Sequence, residues 1–150
     1  MSDALLTAFG SRHALPEEFR DTATGYYLPL AAALPSFRTP GAPLFLGING
    51  AQGTGKSTLA DFLGMACQEL FDWRSAVLSI DDFYLTRAER AVLAETVHPL
   101  FATRGVPGTH DVVMLRETLD RLLTLDEGQT LALPTFDKAS DDRADPATWR

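Results

Sequence analysis

The run Gly50-Ala51-Gln52-Gly53-Thr54-Gly55-Lys56-Ser57 constrains this chain more than any other stretch. It has the spacing Gly-x4-Gly-Lys-Ser. Glycine at these positions leaves backbone N–H groups open to a dense negative charge, where a larger side chain would stand in the way. A helix starting directly behind such a loop adds the positive end of its dipole. Lys56 supplies a point charge for the outer phosphates of a nucleotide, and the Ser57 hydroxyl is a ligand for Mg2+. Gly50, Ala51, Gln52, Gly53, Thr54, Gly55, Lys56, Ser57 and Thr58 are therefore the candidate nucleotide-binding residues.

An ordinary glycine-rich turn would explain the string alone, but the flanks argue for more. Leu44-Phe45-Leu46-Gly47-Ile48 is a short apolar run suited to a buried parallel strand. Leu59, Phe62, Leu63, Ala66, Cys67, Leu70 and Phe71 follow at helical spacing on one face. Strand, loop and helix thus fall in the order a phosphate-binding unit requires.

The chain's 150 residues are enough for one domain with one core. With 45% hydrophobic and 22% charged residues it has the composition of a soluble globular protein. A net charge of −7 argues against a nucleic-acid surface, yet leaves room for local positive potential at a phosphate loop. The single cysteine, Cys67, lies on the apolar helix face and reads as core filler rather than nucleophile. No disulfide framework is possible within the chain, which suits a cytoplasmic setting. No run approaches the ~20 apolar residues of a membrane span.

Residues 1–43 read as a helical lead-in and residues 44–150 as the phosphate-loop domain. In the lead-in, Pro16-Glu17-Glu18 predicts a helix start, with Phe19, Ala23, Tyr26, Tyr27 and Leu30 as its stripe. Gly25 and Pro29 interrupt that pattern, and His13 reads as a solvated surface residue. Beyond the first loop-associated helix, Ser75–Ile80 reads as a second strand closed by Asp81-Asp82. Two strands joined by a helix run parallel and end at one sheet edge, where ligands bind. That logic places Asp81 and Asp82 at the edge with Lys56 and Ser57. The competing role for these aspartates, capping the next helix, is already filled by Thr86 with Glu89 in a capping box.

Residues 87–97 read as a helix stopped by His98-Pro99. Arg104-Gly105-Val106-Pro107-Gly108-Thr109-His110-Asp111 is a loop dense in turn formers. Thr109 or Asp111 is positioned to cap a helix carrying Leu115, Leu119, Leu122 and Leu123, which Gly128 ends. Residues 131–136 read as a third strand. Arg104, His110 and the charged tail 137–145 are, on composition alone, equally compatible with solvated surface.

These blocks in this order resemble the P-loop kinases of small metabolites that group with uridine kinase, pantothenate kinase and phosphoribulokinase. Within that group they are most similar to the glycerate 3-kinase-like branch. The resemblance rests on the phosphate loop, Ser79–Thr86, His98-Pro99-Leu100, Arg104–Asp111, and Leu133–Lys138 with Asp142-Arg143. It implies a three-layer α/β/α fold with a parallel sheet. It implies ATP and Mg2+, with Asp81 as base for the acceptor hydroxyl and Asp82 supporting Mg2+ or its water shell. Lys56, Asp81 and Asp82 are then the catalytic residues, and Ser57 and Asp82 the metal-side ones. Tyr84, Arg104, His110, Asp137, Lys138 and Arg143 match the substrate-side segments. Phe136 stands where related chains often carry Tyr, so a hydroxyl contact is missing there.

The expected activity is ATP-dependent phosphorylation of a hydroxyl on a small metabolite, D-glycerate first and a uridine- or pantothenate-like acceptor second. The competing expectation is a non-catalytic nucleotide-binding fragment or regulator. A GTPase reading is disfavoured by the lack of an Asn-Lys-x-Asp string. Only three core strands are expected, near 44–48, 76–80 and 130–134, where such sheets usually have five or six. The chain therefore reads as the N-terminal portion of a kinase domain, short of its last strand and its arginine-bearing lid. No nucleic-acid or membrane partner is expected.

Overall fold

The computed structural model describes residues 3–126 and 128–150. The chain forms two compact units, Met1–Val77 and Leu78–Arg150. The first unit is helical. It opens with α1 (Asp3–Arg12), which buries Leu6 and Phe9 and which the sequence pattern did not predict. A helical run then begins at Phe19 with α2 (Phe19–Thr22), close to the expected start. It widens into a π-turn at Ala23–Tyr27 and continues as α3 (Leu28–Ala33). Pro29 explains the widening. It has no N–H for the regular ladder, and the preceding Leu28 N–H reaches back five residues to Ala23 O.

Helix α4 (Lys56–Phe71) follows the phosphate loop and buries Phe62, Leu63, Ala66 and Cys67, the centre of the predicted stripe. Phe62 is fully buried, with ring centroids 5.3 Å from Phe9 and 5.3 Å from Tyr27 and near edge-on geometry to both. Leu6, Ala23, Ala31, Leu63 and Ala66 complete this core. Burial pushes the Cys67 thiol up from its ordinary pKa, in keeping with a packing role. His13 differs from expectation. Its ring packs at 4.3 Å on Phe9, and Nε2 lies 3.8 Å from Asp61.

The second unit is built on caps and ion pairs. Thr86 and Glu89 form the predicted capping box at α5 (Arg87–Thr96). Of the two residues proposed to cap α6 (Val112–Leu123), Asp111 does so, accepting from Met114 N–H at 2.9 Å. Thr109 is buried and its hydroxyl donates to Val106 O at 2.6 Å. The segment ends in a short antiparallel ladder, β1 (Phe136–Asp137) with β2 (Asp142–Arg143), in register Phe136↔Arg143.

The expected parallel sheet is the main departure. Among the described residues the ladder of β1 and β2 is the one sheet, and it is antiparallel. Residues 44–48, 76–80 and 130–134 carry no strand; Ile80 instead opens a one-turn helix, Ile80–Phe83. A strand is held by ladder bonds to its neighbours and by burial of alternate side chains. Here Phe45, Leu46 and Ile80 are exposed, so these apolar runs lack the burial that would hold them as strands. Near the third segment, Leu133 and Arg150 exchange backbone hydrogen bonds at 2.6 and 3.2 Å, a single pairing that does not extend into a ladder.

Phe62 sets the stability of the first unit. Phe62→Ala is expected to cost about 3–5 kcal/mol through lost burial and a residual cavity. Urea unfolding followed by circular dichroism measures this directly. A loss below about 1 kcal/mol would mean that the ring is not the centre of the core.

Candidate functional site

The phosphate loop lies in the first unit. Gly53 and Gly55 have φ of 79° and 81°, left-handed values that a Cβ would strain. At Gly50 a Cβ would stand 3.0 Å from Thr54 Oγ1, against the hydroxyl that bonds Ala51 O at 2.8 Å. Gly55 sits just before α4, so Lys56, Ser57 and Thr58 open the helix. Among the described residues none of the backbone N–H groups of Gly53, Gly55, Lys56, Ser57 and Thr58 donates to a protein acceptor. They remain available to an anion. Lys56 Nζ folds back over the loop and donates to Gly50 O at 2.7 Å and Ala51 O at 2.8 Å. Gln52 is exposed at the loop's crest.

The other candidate residues lie in the second unit, around Tyr84. Residues 83–85 pair with 109–111 through an isolated bridge, Tyr84↔His110, with Leu85 N–H on Thr109 O and Asp111 N–H on Phe83 O. The Tyr84 ring stacks on His110 with centroids 4.2 Å apart. Burial raises the Tyr84 hydroxyl pKa, and the charge of Asp81 and a hydrogen bond to it push the same way, while Arg104 and Lys138 oppose. Asp81 Oδ2 also meets Lys138 Nζ at 3.0 Å. Asp81, Tyr84, Arg104 and Lys138 therefore form one charged cluster.

Asp82, next in sequence, points elsewhere. Its Oδ1 accepts from Phe136 N–H at 3.1 Å and its Oδ2 from Arg150 at 2.6 Å. Arg143 bridges Asp111 Oδ2 at 2.9 Å and Tyr84 O at 3.1 Å, holding the bridge segment and the start of α6 together. His110 Nε2 is buried without a partner among the described residues. Asp137 is not drawn into the cluster. Its carboxylate closes its own turn on Ser140 Oγ at 2.6 Å and Ala139 N–H at 2.9 Å, bonds that lower its pKa.

Two participants escaped the sequence reading. Arg90 is fully buried, and its Nη2 donates to Asp141 O at 2.6 Å and Asp141 Oδ2 at 2.9 Å. The other Asp141 oxygen, Oδ1, takes Arg104 Nη1 at 2.7 Å. A signal was present: Arg90, Leu93 and Ala94 share the covered face of α5 at spacing i, i+3, i+4, so a cation interrupts an inward stripe.

Mg2+ commonly takes only one or two protein ligands beside phosphates and water. In the first unit, the Ser57 hydroxyl at the first turn of α4 has the chemistry of such a ligand; in the second unit, both Asp82 oxygens already accept protein hydrogen bonds. Among the described residues no group of three or more His, Cys, Asp or Glu gathers as a metal site. No helix is long and apolar enough to cross a membrane.

No family model matches the chain. Individual proteins do. The Schizosaccharomyces pombe protein named as the uncharacterized kinase mug58 is 40% identical over 118 residues, 73% of this chain and 41% of its own length. The chloroplastic D-glycerate 3-kinase of Arabidopsis thaliana is 37% identical over 117 residues, 71% of this chain and 25% of that one. A solved D-glycerate 3-kinase from Cryptococcus neoformans superposes with a TM-score of 0.62 and 32% identity, covering 86% of this chain and 47% of its own. These relatives are named as kinases, D-glycerate 3-kinases among them. The chain spans less than half their length.

Linkage to pH follows from Asp141. The Arg90 hydrogen bond, then the charges of Arg90 and Arg104, hold its carboxyl below the ordinary carboxylate value. A lowered pKa stabilises the fold above the unfolded value, and this contribution is lost as pH falls through the folded value. Asp141→Asn is therefore expected to lower stability at neutral pH. The wild-type and variant stability curves should converge in acid, as measured by urea titrations across pH. A constant gap down to strongly acidic pH would contradict the assigned pairing.

Proposed function

We propose that this chain carries the nucleotide loop and acceptor-binding cluster of an ATP-dependent kinase that phosphorylates a hydroxyl of a small metabolite, D-glycerate foremost. The observation that carries the reading is Asp81, paired with Lys138 at 3.0 Å and near enough to Tyr84 for its charge to raise the hydroxyl's pKa, which Arg104 opposes. Phosphoryl transfer requires charge neutralisation, in-line placement and an acceptor for one proton. In this proposal the free N–H groups of Gly53, Gly55, Lys56, Ser57 and Thr58 and the Lys56 ammonium neutralise the transferred phosphate, and Asp81 takes the proton of the acceptor hydroxyl. Mg2+ beside Ser57, with Asp82 supporting its water shell, offsets charge between the outer phosphates. Tyr84, His110, Lys138 and Arg143 shape the acceptor site, and Asp137 orders the turn that carries Lys138.

The proposal includes a three-layer α/β/α architecture for residues 44–150, with the apolar runs at 44–48 and 76–80 as parallel strands and residues 1–43 as a lead-in. What supports it is the sequence pattern: Leu44–Ile48 and Ser75–Ile80 are short apolar runs of the length and composition of buried parallel strands, on either side of α4. A cytoplasmic setting and the lack of nucleic-acid or membrane partners belong to the same reading.

A coupled ATP/Mg2+ assay over a panel of acceptors tests it. D-glycerate should give the highest kcat/KM. Lys56→Ala and Asp81→Ala should each lower kcat roughly a hundredfold or more. Near-normal turnover in either variant would sink the assignment. ATP binding without a phosphorylated product from any acceptor would favour a nucleotide-binding module instead.

A further inference from the structure

We infer that Arg90 and Asp141 are positioning residues that fix Arg104 as a bidentate receptor for a carboxylate on the acceptor. The inference deepens the proposed function and rests on it. Three constraints act on the Arg104 guanidinium. Asp141 Oδ1 ties Nη1 at 2.7 Å, and Lys138 O adds a long contact to the same nitrogen at 3.4 Å. The ring of Phe136 lies 5.6 Å from Cζ and supports one face. Nε and Nη2 have no protein acceptor among the described residues. Those two nitrogens form one edge of the fork, with parallel N–H groups matched to the two oxygens of a carboxylate.

Asp141 can hold Arg104 only if it is itself held. It is partly exposed and adopts a left-handed φ of 55°, a conformation most side chains avoid. Arg90 supplies the anchor. Its Nη2 grips both the Asp141 carbonyl and carboxylate, so one buried cation fixes the backbone and the side chain together. Arg90 gains no solvent contact from this position, and its Nε and Nη1 are left without partners. Such a costly placement, on a helix that could have buried a Leu there, is accounted for by what Asp141 then does. Gly105, beside Arg104, takes a left-handed φ of 90°, and the space where its Cβ would stand is open except for the Tyr84 hydroxyl at 3.9 Å.

A small carboxylate with a neighbouring hydroxyl would thus engage Arg104 at one end and Asp81 at the other. Replacing Asp141 should weaken the acceptor and leave the nucleotide alone. The experiment is calorimetric titration of the full-length protein with D-glycerate and, separately, with ATP/Mg2+. The proteins are wild type, Asp141→Asn, Arg90→Lys, Arg104→Lys and the Asp141→Asn/Arg104→Lys double variant.

Asp141→Asn and Arg104→Lys should each raise the D-glycerate Kd roughly tenfold, with the ATP Kd unchanged. Arg90→Lys should act in the same direction. The double variant should bind like Arg104→Lys alone, because Asp141 acts through Arg104. Arg104→Lys changes a side chain outside the buried pair, so it reports even if the Arg90 variant fails to fold. Additive losses in the double variant, equal losses for both ligands, or wild-type affinity in Asp141→Asn would each overturn the inference alone. Failure of the wild type to bind D-glycerate would overturn the proposed acceptor, and this inference with it.

Discussion

A guanidinium taken out of water has to be met by a carboxylate, and the second unit is arranged around one such demand. Arg90 reaches from α5 to the turn between β1 and β2, where Asp141 receives it. Three consecutive residues of that hairpin then hold three different parts of the unit. Asp141 binds Arg90 and Arg104. Asp142 accepts the Arg87 N–H at the start of α5, at 2.9 Å. Arg143 binds Asp111 at the start of α6 and the carbonyl of Tyr84. A hairpin of two-residue strands has little stability of its own. It is ordered here because Lys138, Asp141, Asp142 and Arg143 each have a partner on another segment, while Asp137 closes the turn itself. Phe136, beneath it, places an aromatic face 5.8 Å from Arg90 and 5.6 Å from Arg104.

The first unit follows a different rule. Its core is aromatic and aliphatic, and geometry at Phe62 decides how α4 meets the helices before it. The phosphate loop is attached to the N-terminal end of that well-packed helix. Packing thus fixes the direction of α4, and with it the direction of the free N–H groups at its first turn. Lys56 occupies the space above the loop by bonding two of the loop's own carbonyls. A polyphosphate entering there would offer the ammonium a charged acceptor in place of two neutral ones. The loop is thereby kept in shape around a cation.

The cluster around Tyr84 joins both styles. Tyr84 is buried by its ring and polar at its tip, so it packs on His110 and Phe136 while its hydroxyl meets Asp81. The neighbouring aspartates diverge because they sit in a tight one-turn helix, Ile80–Phe83. Asp81 turns toward Lys138, and Asp82 toward the Phe136 amide and Arg150. Identical side chains one residue apart thus acquire different surroundings.

Local rules were enough for much of this. The glycine spacing announced the left-handed turns at Gly53 and Gly55, the helical stripe announced α4, and the Thr86–Glu89 box and Asp111 announced where α5 and α6 begin. Each depends on residues within one or two turns of each other, so the sequence by itself determined them. The helix at Asp3–Arg12, the π-turn before Pro29 and the loss of regular strands at 44–48 and 76–80 depend on partners distant in sequence or on their lack. Periodicity measures a segment's readiness to be buried, not whether a ladder partner exists to bury it. The same holds for Arg90 and Asp141, 51 residues apart. Composition showed a cation on α5 and an acidic tail. Only tertiary structure decided that they meet, because a pair of charges gains its energy from distance and desolvation, and neither is written in the chain.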